Sequence, residues 1–192
     1  NMKKMQNALE FSHQLLSNHV NAGDTVIDGT VGNGHDTLFL ARLVGSRGTV
    51  YGFDIQERAI QQTQERLTAA PINHTHVHLF NHGHQEIASI LPPMVQVSGA
   101  IFNLGYLPGG NKQLITHAET TIQGLRGCIS HLTVGGIIVI VVYYGHPGGQ
   151  TEKNQVGNFC AALPQKQFAV LKYEFINQVH EPPFVLGIQK IS

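Results

Sequence analysis

Charge is scarce in this chain. Asp, Glu, Lys and Arg make up 12% of its 192 residues, about half the share of about 25% in ordinary globular proteins. The two signs balance, and the formal net charge is zero. A strongly basic surface is thereby excluded, so any nucleic-acid contact must use a local patch. Cysteine is scarce too. Cys128 and Cys160 stand far apart with no C-x-x-C spacing, which reads as buried free thiols in a reducing cytoplasm. Long apolar runs are missing. The longest, Ile137–Tyr144, has eight residues, well short of the roughly 18 to 20 that span a bilayer. The basic start, Asn1-Met2-Lys3-Lys4, is followed by Glu10, His13 and Gln14, so no signal peptide is expected. A cytoplasmic protein with no membrane partner is expected, with residues 1–192 forming one domain.

Phosphate-binding signatures are incomplete as well. Residues Thr25-Val26-Ile27-Asp28-Gly29-Thr30-Val31-Gly32-Asn33-Gly34-His35-Asp36-Thr37 run from an apolar strand through a glycine turn into a helical pattern. A dinucleotide fingerprint needs a third glycine where Thr37 stands, and no P-loop lysine follows the turn. Asp28 and Asp36 flank the glycines instead, and carboxylates there would repel a pyrophosphate. They suit a cationic ligand without phosphate. S-adenosyl-L-methionine fits, with its ammonium, sulfonium and ribose diol, and S-adenosyl-L-homocysteine would be its product. Twenty residues after Gly34, the run Val50-Tyr51-Gly52-Phe53 ends in Asp54. An acid there is placed to accept hydrogen bonds from both ribose hydroxyls.

The rest of the chain alternates strand and helix patterns. Met5, Ala8, Leu9, Ser12, Leu15 and Leu16 follow helical spacing, predicting an N-terminal helix that covers the sheet. Helices are expected over 36–44, 57–70, 112–132 and 152–163, with a short one ending at Leu91. Strands are expected over 49–54, 76–80 and 97–103, and again after a turn at Gly135-Gly136. The unbroken β-branched run there indicates a strand buried on both faces. Two final strands, 168–175 and 184–189, follow without a helix between them. The pattern predicts an α/β, doubly wound, Rossmann-like sheet of seven mostly parallel strands with an antiparallel C-terminal hairpin. In such sheets the site lies beyond the carboxyl ends of the strands.

Histidine is abundant, with 12 in the chain. His74, His76 and His78 alternate along a strand pattern and share a face. Adjacent histidines on a flat strand rarely converge on one ion, and no cysteine or acid pair accompanies them. A solvated strand face is expected, and no metal site.

Three further segments fall at strand ends. In Asn81-His82-Gly83-His84, Gly83 permits close backbone approach to a purine and His84 offers a hydrogen bond or a stack; a plain turn with solvated histidines is the alternative. Asn103-Leu104-Gly105-Tyr106-Leu107-Pro108 follows strand four. Tyr143-Tyr144-Gly145-His146-Pro147-Gly148-Gly149 follows strand five, where Tyr144 can stack on a base and His146 suits proton transfer. A structural turn with exposed aromatics is the alternative for that last segment.

The acid-glycine turn and Asp54 resemble motifs I and II of the class I S-adenosylmethionine-dependent methyltransferases, with Thr30 at the first glycine position. Asn103 and Tyr106 resemble the first and last positions of the Asn/Asp-Pro-Pro-aromatic signature of amino-group methyltransferases, with Leu104-Gly105 replacing the prolines. In that signature the side-chain oxygen and a backbone carbonyl grip the target N–H groups, and the ring stacks on the base. The whole set, with the Asn177–Pro183 segment, resembles a small bacterial family long labelled ribosomal RNA methylases. What is known of that family implies action on transfer RNA, at the anticodon stem-loop. The implied reaction methylates the 5-aminomethyl group of a wobble (2-thio)uridine to the 5-methylaminomethyl form. The resemblance implies that Asp28, Thr30, Gly32, Asn33, Gly34, His35, Asp36, Thr37, Asp54, Ile55, Gln56, Gly83, His84 and Asn103 line the cofactor. It implies that Tyr106, Tyr144 and His146 face the substrate, with Asn103, Tyr106 and His146 in the catalytic roles. The residues taken alone reach only an amine- or nucleobase-directed methyltransferase. A ribosomal RNA base N-methyltransferase and a small-molecule N-methyltransferase stay open. The apolar late strands offer a surface for pairing two copies.

Overall fold

The computed structural model describes residues 1–72, 76–105 and 116–192. His74, Tyr106 and the expected helix start at Lys112 lie outside the described residues. In chain order the elements are α1 (Ala8–His19), β1 (Thr25–Asp28), α2 (His35–Val44), β2 (Thr49–Phe53), α3 (Glu57–Ala69) and β3 (Val77–Phe80). A single 3-10 turn (His84–Glu86) leads into α4 (Ile87–Ile90). Then come β4 (Val97–Leu104), α5 (Ala118–His131), β5 (Leu132–Val142), α6 (Gly149–Ala161), β6 (Phe168–Tyr173) and β7 (Phe184–Lys190).

Among the described residues seven strands form one sheet in the order β3-β2-β1-β4-β5-β7-β6. β1 to β5 pair in parallel, while β7 runs antiparallel to both β5 and β6. This is the expected doubly wound sheet with its antiparallel ending. The order reverses between β1 and β4, which opens a crevice at their carboxyl ends.

Apolar alternation covers both faces. On β5, Ile138, Ile140 and Val142 join one core with Phe53, Phe102 and Leu125. Ile137, Val139 and Val141 join the other with Leu16, Leu40 and Val185. All six β5 residues are 2% exposed or less, as expected for a strand covered on both sides. Cys128 and Cys160 are buried free thiols, and burial raises the pKa of each.

The helix expected over 152–163 runs Gly149–Ala161 and the strand expected over 168–175 ends at Tyr173; two other differences have identifiable reasons. β5 begins at Leu132, before the glycine pair, because Leu132 already pairs with Val97. The ladder then shifts register and resumes at Gly99 with Ile137. The expected turn at Gly135-Gly136 is therefore a bulge within the strand. α1 starts at Ala8, where Asn7 and Glu10 form a reciprocal capping box. Met5 precedes the helix and is exposed, and Leu9 also faces outward, so the buried stripe is Ala8, Ser12, Leu15 and Leu16. His76 and His78 are exposed, and His78 lies against Tyr51 with ring centroids 5.5 Å apart. The longest helices fall short of a bilayer, and no described helix is long and apolar enough to cross one.

Candidate active site

The turn after β1 is organised around a buried acid. Asp28 is fully buried. One of its oxygens accepts from Thr30 N at 3.1 Å and the other from Thr37 Oγ1 at 2.7 Å. Burial first, and the charge of Asp36 second, push this carboxyl up to about 7. Asp28 and Thr37 thus clamp the turn from within, and both are sealed from solvent. Gly34 enters α2 with φ of 88°, a conformation that side chains disfavour. A Cβ there would also lie 2.7 Å from Thr63 Oγ1. The Asn33 carbonyl accepts from Arg66 Nε at 2.8 Å, tying the turn to α3. Asn33 and His35 are exposed at the start of α2.

Asp54 follows β2. Its oxygens accept from Gly32 N at 2.8 Å and Gln56 N at 2.9 Å. Each oxygen keeps a second lone pair, so the carboxylate is oriented without being saturated. Burial raises its pKa, against the lowering effect of these two bonds. Ile55 beside it is 57% exposed, an apolar side chain at the open end of the sheet. Asn81 Nδ2 reaches the carbonyls of Asp54 and Ile55 at 3.3 and 3.2 Å, joining the loops after β2 and β3.

His84 is placed differently from a solvated turn residue. It is buried, with Nδ1 3.1 Å from the Gly29 carbonyl. A carbonyl only accepts, so Nδ1 carries the hydrogen. Burial lowers the ring's pKa, keeping it neutral. The ring also meets Phe102 edge-on, with centroids 5.6 Å apart. One nitrogen of His84 is therefore committed to the β1 turn, and Gly83 beside it is buried.

The end of β4 joins this cradle. Asn103 N donates to Thr30 Oγ1 at 2.8 Å, and Asn103 Nδ2 donates to Asp36 Oδ2 at 2.6 Å. Asn103 Oδ1 is buried and has no hydrogen-bond partner among the described residues. A buried acceptor without a donor costs about 1–3 kcal/mol, so this oxygen favours a ligand that brings an N–H. Thr30, at the motif's first glycine position, uses its hydroxyl to hold β4, which a glycine could not do. The other Asp36 oxygen lies 2.7 Å from His13 Nε2 on α1. Sequence reasoning gave α1 only a covering role, because periodicity carries no information about a contact 23 residues away.

The loop after β4 departs from the proline signature for a backbone reason. Gly105 has φ of 89°, which a proline ring cannot adopt. Its N–H donates to Thr116 Oγ1 at 2.7 Å, a bond proline lacks. Thr116 and Thr121 in turn donate to the buried Glu152 of α6 at 2.8 and 3.0 Å. Glu152 was not singled out from the sequence, where one acid in a helix carries no signal. A Cβ on Gly105 would fall 2.6 Å from His146 Cε1 and 2.5 Å from the Tyr143 carbonyl. The β4 and β5 loops are thus pressed together at Gly105, with His146 against it.

Tyr144 is half-buried. It packs edge-on against Phe184 at 5.8 Å, with Lys153 Nζ 4.2 Å from its ring centroid. Burial, then the charges of Glu174 and Glu181, raise the Tyr144 phenol pKa, so it stays a neutral hydroxyl. His180 and Glu181 both have positive φ, 65° and 55°. Paired strain of this kind gathers at functional sites. It brings Glu181 Oε2 to 2.8 Å from where a Cβ on Gly145 would stand.

The assembled geometry has acids at the ends of β1 and β2, an unpartnered amide oxygen at the end of β4, and an aromatic with a histidine after β5. Residues 50–189 match the protein family described as "Putative rRNA methylase". An Arabidopsis thaliana chloroplast protein, a tRNA (mnm(5)s(2)U34)-methyltransferase, is 40% identical over 190 residues, covering 95% of this chain and 69% of that one. A crystal structure described as a "putative rRNA-methylase", from Clostridium thermocellum, superposes with a TM-score of 0.94 at 43% identity, covering 98% of this chain and all of that one (100%). A "putative methyltransferase" from Streptococcus mutans, solved with SAH, gives 0.87 at 38% identity over 97% and 99% of the two chains. With most of its length matched by the profile and by near relatives, this chain belongs to the rRNA methylase family.

Proposed function

We propose that the protein is an S-adenosyl-L-methionine-dependent methyltransferase that methylates the 5-aminomethyl group of the wobble (2-thio)uridine in tRNA. The observation that carries this reading is the Asn103 amide. Its nitrogen is committed to Asp36, while its buried oxygen waits for a donor. The Arabidopsis relative, whose name specifies that uridine, supplies the substrate.

The residues suit the donor. Asp54, held by two backbone N–H groups, accepts the ribose diol. Ile55 and Gly83 lie where an adenine would pack. Asp36, with Asp28 behind it, gives the crevice a negative field that favours a cation and disfavours a pyrophosphate. When bound, S-adenosylmethionine supplies a methyl group on a sulfonium, which departs as a neutral thioether.

The target is an alkyl amine, protonated near neutral pH, and it must shed one proton before its lone pair can attack. Asn103 Oδ1 accepts an N–H of that amine and aims it. His146, against Gly105, takes the released proton toward solvent. Tyr144 stacks on the base with its hydroxyl neutral. Catalysis here is mainly orientation of two reactants. The partner is the anticodon stem-loop, in the cytoplasm. The edge strand β6, with Val170 and Leu171 exposed, is where we place any pairing of two copies, and sedimentation at two protein concentrations checks it.

Deleting the gene should leave 5-aminomethyl-(2-thio)uridine unmethylated in cellular tRNA, as read by nucleoside mass spectrometry. Unchanged tRNA nucleosides, together with a methyl missing from ribosomal RNA, would establish instead the activity that the family description names.

A further inference from the structure

We infer that His13 on α1 is a positioning residue for methyl transfer: by holding Asp36 it fixes which way the Asn103 amide faces. The inference rests on the methyl-transfer reading of this pocket and adds an element to it.

The chain of contacts is short. His13 Nε2 lies 2.7 Å from Asp36 Oδ1, and Asn103 Nδ2 lies 2.6 Å from Asp36 Oδ2. A carboxylate accepts, so Nε2 and Nδ2 both supply hydrogens. Asp36 therefore receives one donor on each oxygen, which sets the plane of its carboxylate. That plane in turn decides the amide. Turning Asn103 over would set its oxygen against Asp36 Oδ2, acceptor against acceptor. With Asp36 fixed, Asn103 Oδ1 is the oxygen left to meet the incoming amine. With Asp36 free to rotate, that preference weakens.

His13 is itself held in place. Its ring stacks on Phe39 of α2, centroids 3.9 Å apart and planes 5° from parallel. Two residues earlier, Phe11 stacks on Tyr173 of β6 at 3.9 Å. The Tyr173 hydroxyl donates to the Gln6 carbonyl at 2.6 Å. Leu15 and Leu16, just beyond, are in the core. The helix is pinned on both sides of His13, more than a cover requires.

Two substitutions separate positioning from packing. His13→Gln keeps an N–H donor and gives up the ring. His13→Phe keeps a ring over Phe39 and gives up the donor. Both are assayed for kcat and KM on tRNA at saturating S-adenosylmethionine, with SAH affinity by calorimetry as the measure of an intact donor site. Loss of one charge-assisted hydrogen bond predicts that His13→Phe lowers kcat about tenfold or more, while SAH affinity stays within about threefold. His13→Gln should restore kcat to within about threefold of wild type. Equal kcat in the two variants, or loss in Gln with activity kept in Phe, overturns the inference and makes His13 a packing residue. A parallel loss of SAH affinity in the Phe variant also overturns it, because the fall in turnover would then come from a damaged donor site and not from the facing of the Asn103 amide. A wild-type protein that leaves tRNA unmethylated overturns the methylase reading first, an outcome distinct from any pattern among the variants.

Discussion

The two halves of the crevice are built by different means. On the side we propose for the methyl donor, the ends of β1 and β2 are tied by backbone groups. Thr30 N meets Asp28, and Gly32 N and Gln56 N meet Asp54. On the acceptor side, the ends of β4 and β5 are tied by side chains from distant helices. Glu152 of α6 holds Thr116, which holds Gly105, and His13 of α1 holds Asp36. A backbone-built half tolerates drift in neighbouring helices. A half built of side-chain relays can be retuned by a single substitution far along the chain, so target specificity is free to vary over a constant donor site.

The largest expected effect breaks the donor side alone. On the proposed reading Asp54→Ala removes both ribose acceptors, and with them the tether to Gly32. Two charge-assisted bonds at about 1.5–3 kcal/mol each predict at least a hundredfold loss of SAH affinity by calorimetry. Unchanged affinity would strike Asp54 from the donor site. Next, Gly105→Pro breaks the acceptor side. It forbids φ of 89° and removes the donor to Thr116, at a cost of about 3 kcal/mol. A hundredfold fall in kcat (roughly) with SAH affinity within about threefold is expected. Parallel losses would show that the two halves are not separable.

Asn103→Ala sharpens the boundary, since Asn103 touches both halves through Thr30 and Asp36. A kcat loss of about 10- to 100-fold with a smaller loss of SAH affinity is expected, from one hydrogen bond to a charged amine. Equal losses would make it a donor ligand only. Glu152→Gln is milder. The amide can still accept from one threonine, so kcat should fall about three- to tenfold; thermal melting separates this from unfolding.

The smallest effect concerns protons. Burial raises both Asp28 and Asp54, with Asp28 reaching about 7. In the donor-free protein these groups hold protons above the ordinary carboxylate range. A bound cation favours their ionised forms and lowers their pKa values. Binding S-adenosylmethionine should therefore release a fraction of a proton as pH rises from the usual carboxylate range to about 7. Calorimetry in buffers of different ionisation enthalpy reads this directly, and SAH, lacking the sulfonium charge, should release less. No buffer dependence would mean that the acids do not sense the donor.

Legibility from sequence followed the same division. Asp28, the glycine turn and Asp54 are local patterns at strand ends, and the fold class followed from alternating periods. The hydrophobic period also located β5, while its bulge depended on Leu132 pairing with Val97, which no local pattern encodes. His84 offered one ring to two roles, and only the Gly29 carbonyl at 3.1 Å shows how its Nδ1 is spent. His13 and Glu152 carry no motif, and Glu181 lies in the Asn177–Pro183 segment with no individual role legible there. Their contacts join elements far apart in the chain, so they became visible only once the chain was folded. Why Leu104-Gly105 stands in place of two prolines also became physical there, in the backbone angle of Gly105.

The central claim, methylation of a wobble aminomethyl group, is tested most directly by incubating the purified protein with labelled S-adenosylmethionine and two RNAs. One is tRNA bearing 5-aminomethyl-(2-thio)uridine, and the other is ribosomal RNA from the same strain. Nucleoside mass spectrometry should find the label in 5-methylaminomethyl-(2-thio)uridine and none in ribosomal RNA. Label confined to a ribosomal base, with the wobble nucleoside unchanged, would contradict the account.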